Sequence, residues 1–274
     1  MVTILPKEQI KQLREALESS KRPLFYYDDD PDGLCSFLLL YRFIKEGKGV
    51  MVKTTSNLTK EWARYAREYS PDNIFILDVP VVEQEFIDEI SVPIYWIDHH
   101  MPVERTKINY YNPRLQDIKA YIPTTRMAYE VVKQDIWIAA VGCVADWYLP
   151  DFKTKIRREY PELLNKDTND PESALFKSTV GKLARIFAFL LKGKTGEVLT
   201  SIKILTKITS PNEILLGTTP AGKNLRKRFE NINVRYEALL QSSLQTKADG
   251  SFFFFKYAED QWSFSSELSN ELAY

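Results

Sequence analysis

The chain has 274 residues, 44% hydrophobic and 27% charged, with 37 Lys/Arg balanced by 37 Asp/Glu. This composition excludes a disordered polymer and leaves ample length for one large or two ordinary buried cores. No window approaches the roughly 20 uninterrupted apolar residues of a membrane span, and the N-terminus lacks a secretory-signal pattern, so a cytoplasmic protein without a membrane partner is expected.

The charge is unevenly spread. Residues 1–180 hold 24 Lys/Arg against 28 Asp/Glu, whereas residues 181–228 hold ten Lys/Arg against Glu197 and Glu213. Local field, not net charge, governs encounter with a polyanion, so this segment is either a set of solvated helix faces or a stripe facing nucleic acid. Cys35 and Cys143 sit among apolar or small neighbours and form no CxxC pair. Reduced, buried thiols are expected, and no zinc site of thiolates.

In chain order, residues 6–21 place Ile10, Leu13 and Leu17 at helical spacing. Residues 23–27 read as a strand running into Asp28-Asp29-Asp30-Pro31-Asp32-Gly33, followed by an apolar helix over 34–46 that Gly47-Lys48-Gly49 stops. A second strand (50–54) precedes a helix (58–69) that Ser56-Asn57 would cap. A third strand (74–77) ends at Asp78, and a short helix covers 82–90. The fourth strand, 94–97, ends at Asp98-His99-His100, which contains both histidines of the chain. A fifth (108–111) ends in Asn112-Pro113-Arg114, and helices over 124–133 and 135–148 carry Gly142 and Asp146. Strands alternating with helices at this pace imply a doubly wound parallel sheet, and their unbroken apolar runs imply that both faces are covered.

Beyond residue 150 the pattern is polar and proline-broken to 173, then helical over 175–192, 197–206, from 210, and 222–244. The expected organisation is a first domain over 1–215 including the basic helices, a connecting helix over 216–246, and the start of a second α/β domain over 247–274. In that last part Asp249-Gly250 signals a turn, the Phe252–Phe255 run reads as a sheet strand, and Ser265-Ser266 opens a short helix. So small a piece is either an incomplete accessory domain or a hairpin packed on the first.

In open α/β sheets ligands bind outside the carboxyl ends of the strands. Three strands here end at acids: Asp28/Asp30/Asp32, Asp78 and Asp98. A single acid in that place is ordinarily a helix cap, but three that include the only imidazoles point to chemistry. In an extended chain, Asp28, Asp30 and Asp32 alternate onto one face. Carboxylates so crowded repel one another unless a cation is present. Oxygen ligands with one or two imidazoles favour Mn2+ or Mg2+ over zinc or copper, and Asp78 and Asp146 complete a shell for two ions. A metal pair about 4 Å apart suits in-line attack on a phosphodiester. The helix opening at Gly33–Ser36 would add backbone N–H donors for an anion.

These motifs resemble those of the DHH phosphoesterases, the group that includes RecJ exonucleases and phosphodiesterases of nanoRNA and cyclic dinucleotides. Asp28-Asp29-Asp30-Pro31-Asp32-Gly33 with Ser36 resembles the first motif, Asp78 the second, Asp98-His99-His100 the third and Gly142 with Asp146 the fourth. Asn112-Pro113-Arg114 and Pro123-Thr124-Thr125 resemble the stretch between the last two. The likeness spans about residues 22–150, and the C-terminal part resembles the approach to the glycine-rich accessory domain of archaeal RecJ-like members.

The resemblance implies a Mn2+- or Mg2+-dependent phosphodiesterase with two ions, acting on single-stranded DNA or RNA ends. Asp30, Asp32, Asp78, His99 and Asp146 would ligate metal, with Asp78 bridging, and Asp28 would do so in place of the usual histidine. Asp98 would orient a histidine, and His100 would contact the scissile phosphate. Substrate contacts are expected from Ser36, Asn112, Arg114, Arg226, Lys227 and Arg228. Alternatives are hydrolysis of cyclic dinucleotides or nanoRNA, or a weakly active replisome-associated scaffold, with replication or repair proteins as partners.

Overall fold

The computed structural model describes residues 4–53, 57–246, 250, 252–258 and 262–274. Ser56 and Asp249 therefore lie outside the described residues. In chain order the first part runs α1 (Lys7–Ser19), β1 (Leu24–Asp28), α2 (Pro31–Ile44), β2 (Lys48–Val52), β3 (Asn57–Leu58), α3 (Ala63–Tyr69), β4 (Ile74–Leu77), β5 (Val81–Val82), α4 (Gln84–Asp88), β6 (Ile94–Ile97), β7 (Asn109–Tyr111), α5 (Thr124–Val132) and α6 (Ile136–Ala145). Asn57, expected to cap a helix, begins the short β3 instead, which pairs in parallel with β5.

The main sheet has the order β2-β1-β4-β6-β7, and every pairing is parallel. Side chains alternate across it. Leu24, Tyr26, Ile74, Ile76, Ile94 and Trp96 enter one core with Ala63, Ala66, Phe86 and Ile87 from α3 and α4. Phe25 and Tyr27 point the other way onto Phe37 of α2, Tyr27 stacking on it at 4.5 Å between ring centroids. Both faces are thus covered, which is why the strands carry no polar alternation. Because the chain leaves β1 for β2 on one side and returns to β4 on the other, the topological switch point lies between β1 and β4. There the carboxyl ends of neighbouring strands diverge and open a crevice.

Two compact units divide at Ala184/Arg185, inside the residues expected to form the first domain and within α9 (Thr179–Leu190). The first unit also holds α7 (Lys153–Glu159) and α8 (Pro171–Lys177). The second contains α10 (Thr195–Leu205), α11 (Pro211–Leu215), α12 (Pro220–Leu244) and α13 (Ser265–Ala273). The segment expected as a connecting helix buries Leu225, Phe229, Ile232, Tyr236 and Leu240 along one face of α12. Phe189 and Phe264 both pack on Tyr236, with centroids 5.1 and 5.5 Å away, so α12 is the spine of its own unit. The expected Phe252–Phe255 strand does not form. Residues 253–258 carry no strand, and Phe252, Phe253 and Phe254 are exposed. Phe252 makes one isolated bridge, but no continuous pairing extends over residues 253–258, and backbone pairing, not side-chain apolarity, makes a strand.

Cys35 and Cys143 are free and buried, as their apolar settings imply. No helix among the described residues is long and apolar enough to cross a membrane.

Candidate metal centre

The three aspartates after β1 do not continue the strand. Asp28 is its last residue. Asp30, held extended by the following proline, caps α2 with its Oδ1 accepting from Gly33 N at 2.8 Å, and Asp32 already lies in the helix. Strand, cap and first turn therefore bring the carboxylates together, not alternation along an extended chain. The cap also takes up the helix donors expected to meet an anion: Gly33 N bonds the Asp30 side chain and Leu34 N its carbonyl. Gly33 is required here, since a Cβ would lie 2.7 Å from the Asp28 carbonyl oxygen.

Asp78 follows β4 in the left-handed region, with φ +63°, while its N–H donates to Ile97 O at 3.0 Å. A non-glycine residue in that conformation is strained, and such strain concentrates at functional sites. Next along the sheet, His99 Nε2 lies 3.3 Å from Asp78 Oδ1 and 3.9 Å from Asp32 Oδ2, and its Nδ1 lies 3.7 Å from Asp146 Oδ2. Two overlapping groups result, Asp78–His99–His100 and Asp32–His99–Asp146, each with donor atoms close enough to share one ion.

The helix α5 holds this cluster from below. Thr124 and Thr125 donate their backbone N–H groups to the two Asp32 oxygens, each at 2.8 Å, and Thr124 Oγ1 lies 3.1 Å from Asp78 Oδ1. Both donors are free because they sit in the first turn, and the helix dipole favours the negative partner. The sequence showed this pair only as part of a motif. Pro123 is the local signal, since proline before two threonines starts a helix at that point.

Asp98 and His100 form a second arrangement. Asp98 is fully buried. It accepts from His100 Nδ1 at 2.7 Å, His100 N at 3.1 Å, Tyr110 Oη at 3.2 Å and Asn112 Nδ2 at 3.4 Å. His100 keeps its ring 4.6 Å from that of His99, centroid to centroid.

The electrostatics follow from burial and like charge. Burial pushes Asp28 up to about 7, aided by Asp30, and Asp30 up to about 6, aided by Asp32. Asp146 rises to about 9 by burial with Asp32 and Asp30 beside it, and Asp78 rises for the same reasons. Burial lowers His99. At His100 burial acts the same way, but the Asp98 hydrogen bond and charge outweigh it and raise the imidazole. Asp28 Oδ1 and His99 Nδ1 are buried without a hydrogen-bond partner. Carboxylates crowded to this degree, with orphaned ligand atoms among them, are the chemistry of a cation site of hard oxygen ligands plus imidazole. The residues present fit such an ion.

The other expected site residues are placed unequally. Arg114 reaches the rim, where its charge depresses His99, its Nη1 lies 3.2 Å from Met101 Sδ and its Nε is buried without a partner. Asn112 is buried and serves as a strut, donating to the His100 carbonyl at 2.9 Å. Ser36 is fully buried, 3.3 Å from Thr125 Oγ1, and supports the packing of α2 on α5 instead of facing a ligand. Arg226, Lys227 and Arg228 lie in the second unit on α12. There Arg226 pairs with Glu230 and Arg228 with Glu197, leaving Lys227 exposed. Tyr121, which nothing in the sequence singled out, stands over His99 and Asp146.

A carboxylate–imidazole cluster at the switch point of a parallel sheet has the donor chemistry that a divalent ion needs beside a phosphate ester. Residues 24–163 match the DHH family, N-terminal domain, over more than half of the chain, and the chain belongs to that family. No curated protein sequence matches. Among solved structures the chain is similar to exonuclease RecJ bound to manganese (TM-score 0.62, 16% identity, 89% of this chain and 70% of that one). It is similar also to RecJ in complex with Mn2+ from Thermus thermophilus (0.61, 16%, 89% and 40%). A third is the DHH domain of a member of a ribosomal-protein family (0.60, 15%, 88% and 63%). At these identities the likeness is one of fold, and the chain spans only part of each relative.

Proposed function

We propose that this chain hydrolyses phosphodiester bonds at the ends of single-stranded DNA or RNA, using two Mn2+ or Mg2+ ions, as a RecJ-like exonuclease. The observation that carries the reading is the convergence of three carboxylates, Asp32, Asp78 and Asp146, at 3.3–3.9 Å from the His99 imidazole, at the switch point of a DHH-family sheet. Asp28, Asp30, Asp32, Asp78, His99 and Asp146 would hold the ions. Bound divalent ions supply a lowered water pKa and charge neutralisation at the phosphate oxygens.

The chain's own groups do the rest. Asp98 fixes His100 through Nδ1 at 2.7 Å and favours its protonated form, leaving Nε2 to hold a proton for the departing oxygen. Asn112 keeps the His100 backbone in register by bonding its carbonyl. Arg114 brings a positive charge near His99, where it would favour a phosphate of the incoming strand. Lys227, exposed on α12, would meet a nucleic-acid backbone by charge alone.

The test is Mn2+-dependent release of mononucleotides from end-labelled single strands. Loss of that release in Asp78→Ala supports the reading, and its persistence would sink the mechanism. Running cyclic dinucleotides and two- to five-nucleotide RNAs alongside decides the substrate class: faster turnover of those small phosphodiesters replaces the exonuclease reading with theirs.

A further inference from the structure

Tyr121 lies between Ala120 and Ile122, which are buried, while its own ring is 42% exposed. Buried neighbours on either side anchor the backbone here and leave the middle side chain outward. Here outward is over the metal centre. The Tyr121 hydroxyl lies 2.9 Å from the Asp146 carbonyl oxygen and 3.0 Å from Asp146 Oδ2. Its ring meets the His99 imidazole edge-on, at 5.6 Å between centroids and 67° between planes.

Asp146 needs such a partner. It ends α6 as the C-cap residue, where the helix dipole disfavours a negative charge. Its carboxylate faces other acids, and its approach to His99 Nδ1 is 3.7 Å, too long for a hydrogen bond. Asp32, by contrast, is fixed by two backbone N–H groups of α5, each at 2.8 Å. Of the Asp32–His99–Asp146 group, one member is thus set by backbone and the other two are touched by Tyr121. Residues 121–125 form one short stretch, so a single segment holds this half of the centre from both sides.

We propose that Tyr121 is a positioning residue that orients Asp146 and His99 for the divalent ion bound by the Asp32–His99–Asp146 group. The inference rests on the metal-dependent reading above. Groups that orient ligands in this way characteristically change metal affinity by about 10- to 100-fold when removed.

The experiment is Mn2+ titration by calorimetry and electron paramagnetic resonance, on wild type, Tyr121→Phe and Tyr121→Leu. Thermal melts in chelator establish that each variant is folded, as expected for a side chain this exposed. Tyr121→Phe should weaken one class of Mn2+ site at least tenfold, leave the other unchanged, and raise the Mn2+ concentration for half-maximal activity without changing KM for the strand. Tyr121→Leu, which also loses the ring edge on His99, should weaken that class further. If wild type binds Mn2+ and Tyr121→Phe binds it equally well, Tyr121 is not a positioning residue and the metal reading stands. If wild type binds no Mn2+, both readings fall together.

Discussion

Asp28→Asn tests the electrostatic account of the cluster without any assumption about substrate. Asp28 has one buried oxygen without a partner, and burial together with Asp30 raises its carboxyl from the ordinary 3.8 to about 7. A carboxyl raised on folding keeps a proton that the unfolded chain releases, so its ionisation costs stability as pH climbs between those two values. The gap corresponds to on the order of 4 kcal/mol; partial solvent access at the crevice reduces this to about 2 kcal/mol. Asparagine has no such titration. In chelator, the variant should match wild type near pH 4 and exceed it by about 2 kcal/mol at pH 8, a Tm gain of roughly 4–8 °C for a protein of this size. The assay is urea denaturation and calorimetry at both pH values. Saturating Mn2+ should reverse the order, because wild type then gains an ion where the variant offers one carboxylate fewer. A difference independent of pH, or an Asp28→Asn protein less stable than wild type at pH 8 in chelator, would refute the reasoning.

Asp98→Asn removes the charge that holds His100. Its amide cannot satisfy the donors that now converge from His100, Tyr110 and Asn112. With that bond and charge gone the His100 pKa falls, so a rate that needs the protonated imidazole should be lost at lower pH than in wild type; kcat at neutral pH should drop roughly a hundredfold to ten-thousandfold. An unchanged pH–rate profile would remove His100 from the proton transfer. Gly142→Ala places a Cβ 2.2 Å from Thr125 Oγ1 and 2.8 Å from Cys35 Cβ, where α6 packs on α5 and α2. Overpacking there should cost about 1–3 kcal/mol and weaken Mn2+ binding as well, since Thr125 also holds Asp32; a wild-type Tm would show that the three helices yield without cost.

Apolar runs and their spacing by themselves determined the parallel sheet, because strands buried on both faces leave no polar alternation and crossover helices leave a legible period. They also placed Asp78, Asp98, His99 and His100 at strand ends, and strand ends are where such sheets bind ligands. The second unit was less legible. The Phe252–Phe255 run and α12 are both apolar, yet one stays exposed and the other becomes a spine, because partners distant in sequence decide which apolar surface is covered.

Tertiary structure alone divided the site residues by role. Asp28, Asp30 and Asp32 look equivalent along the chain, but strand, cap and helix turn give them different partners. Ser36 and Arg228 have the chemistry of ligand contacts and are taken up internally, by Thr125 and Glu197. Tyr121 carries no motif, since a hydroxyl that reaches Asp146 across the fold leaves no local pattern. Short-range periodicity records which face of an element is buried; which side chain meets which across the crevice depends on how the elements pack.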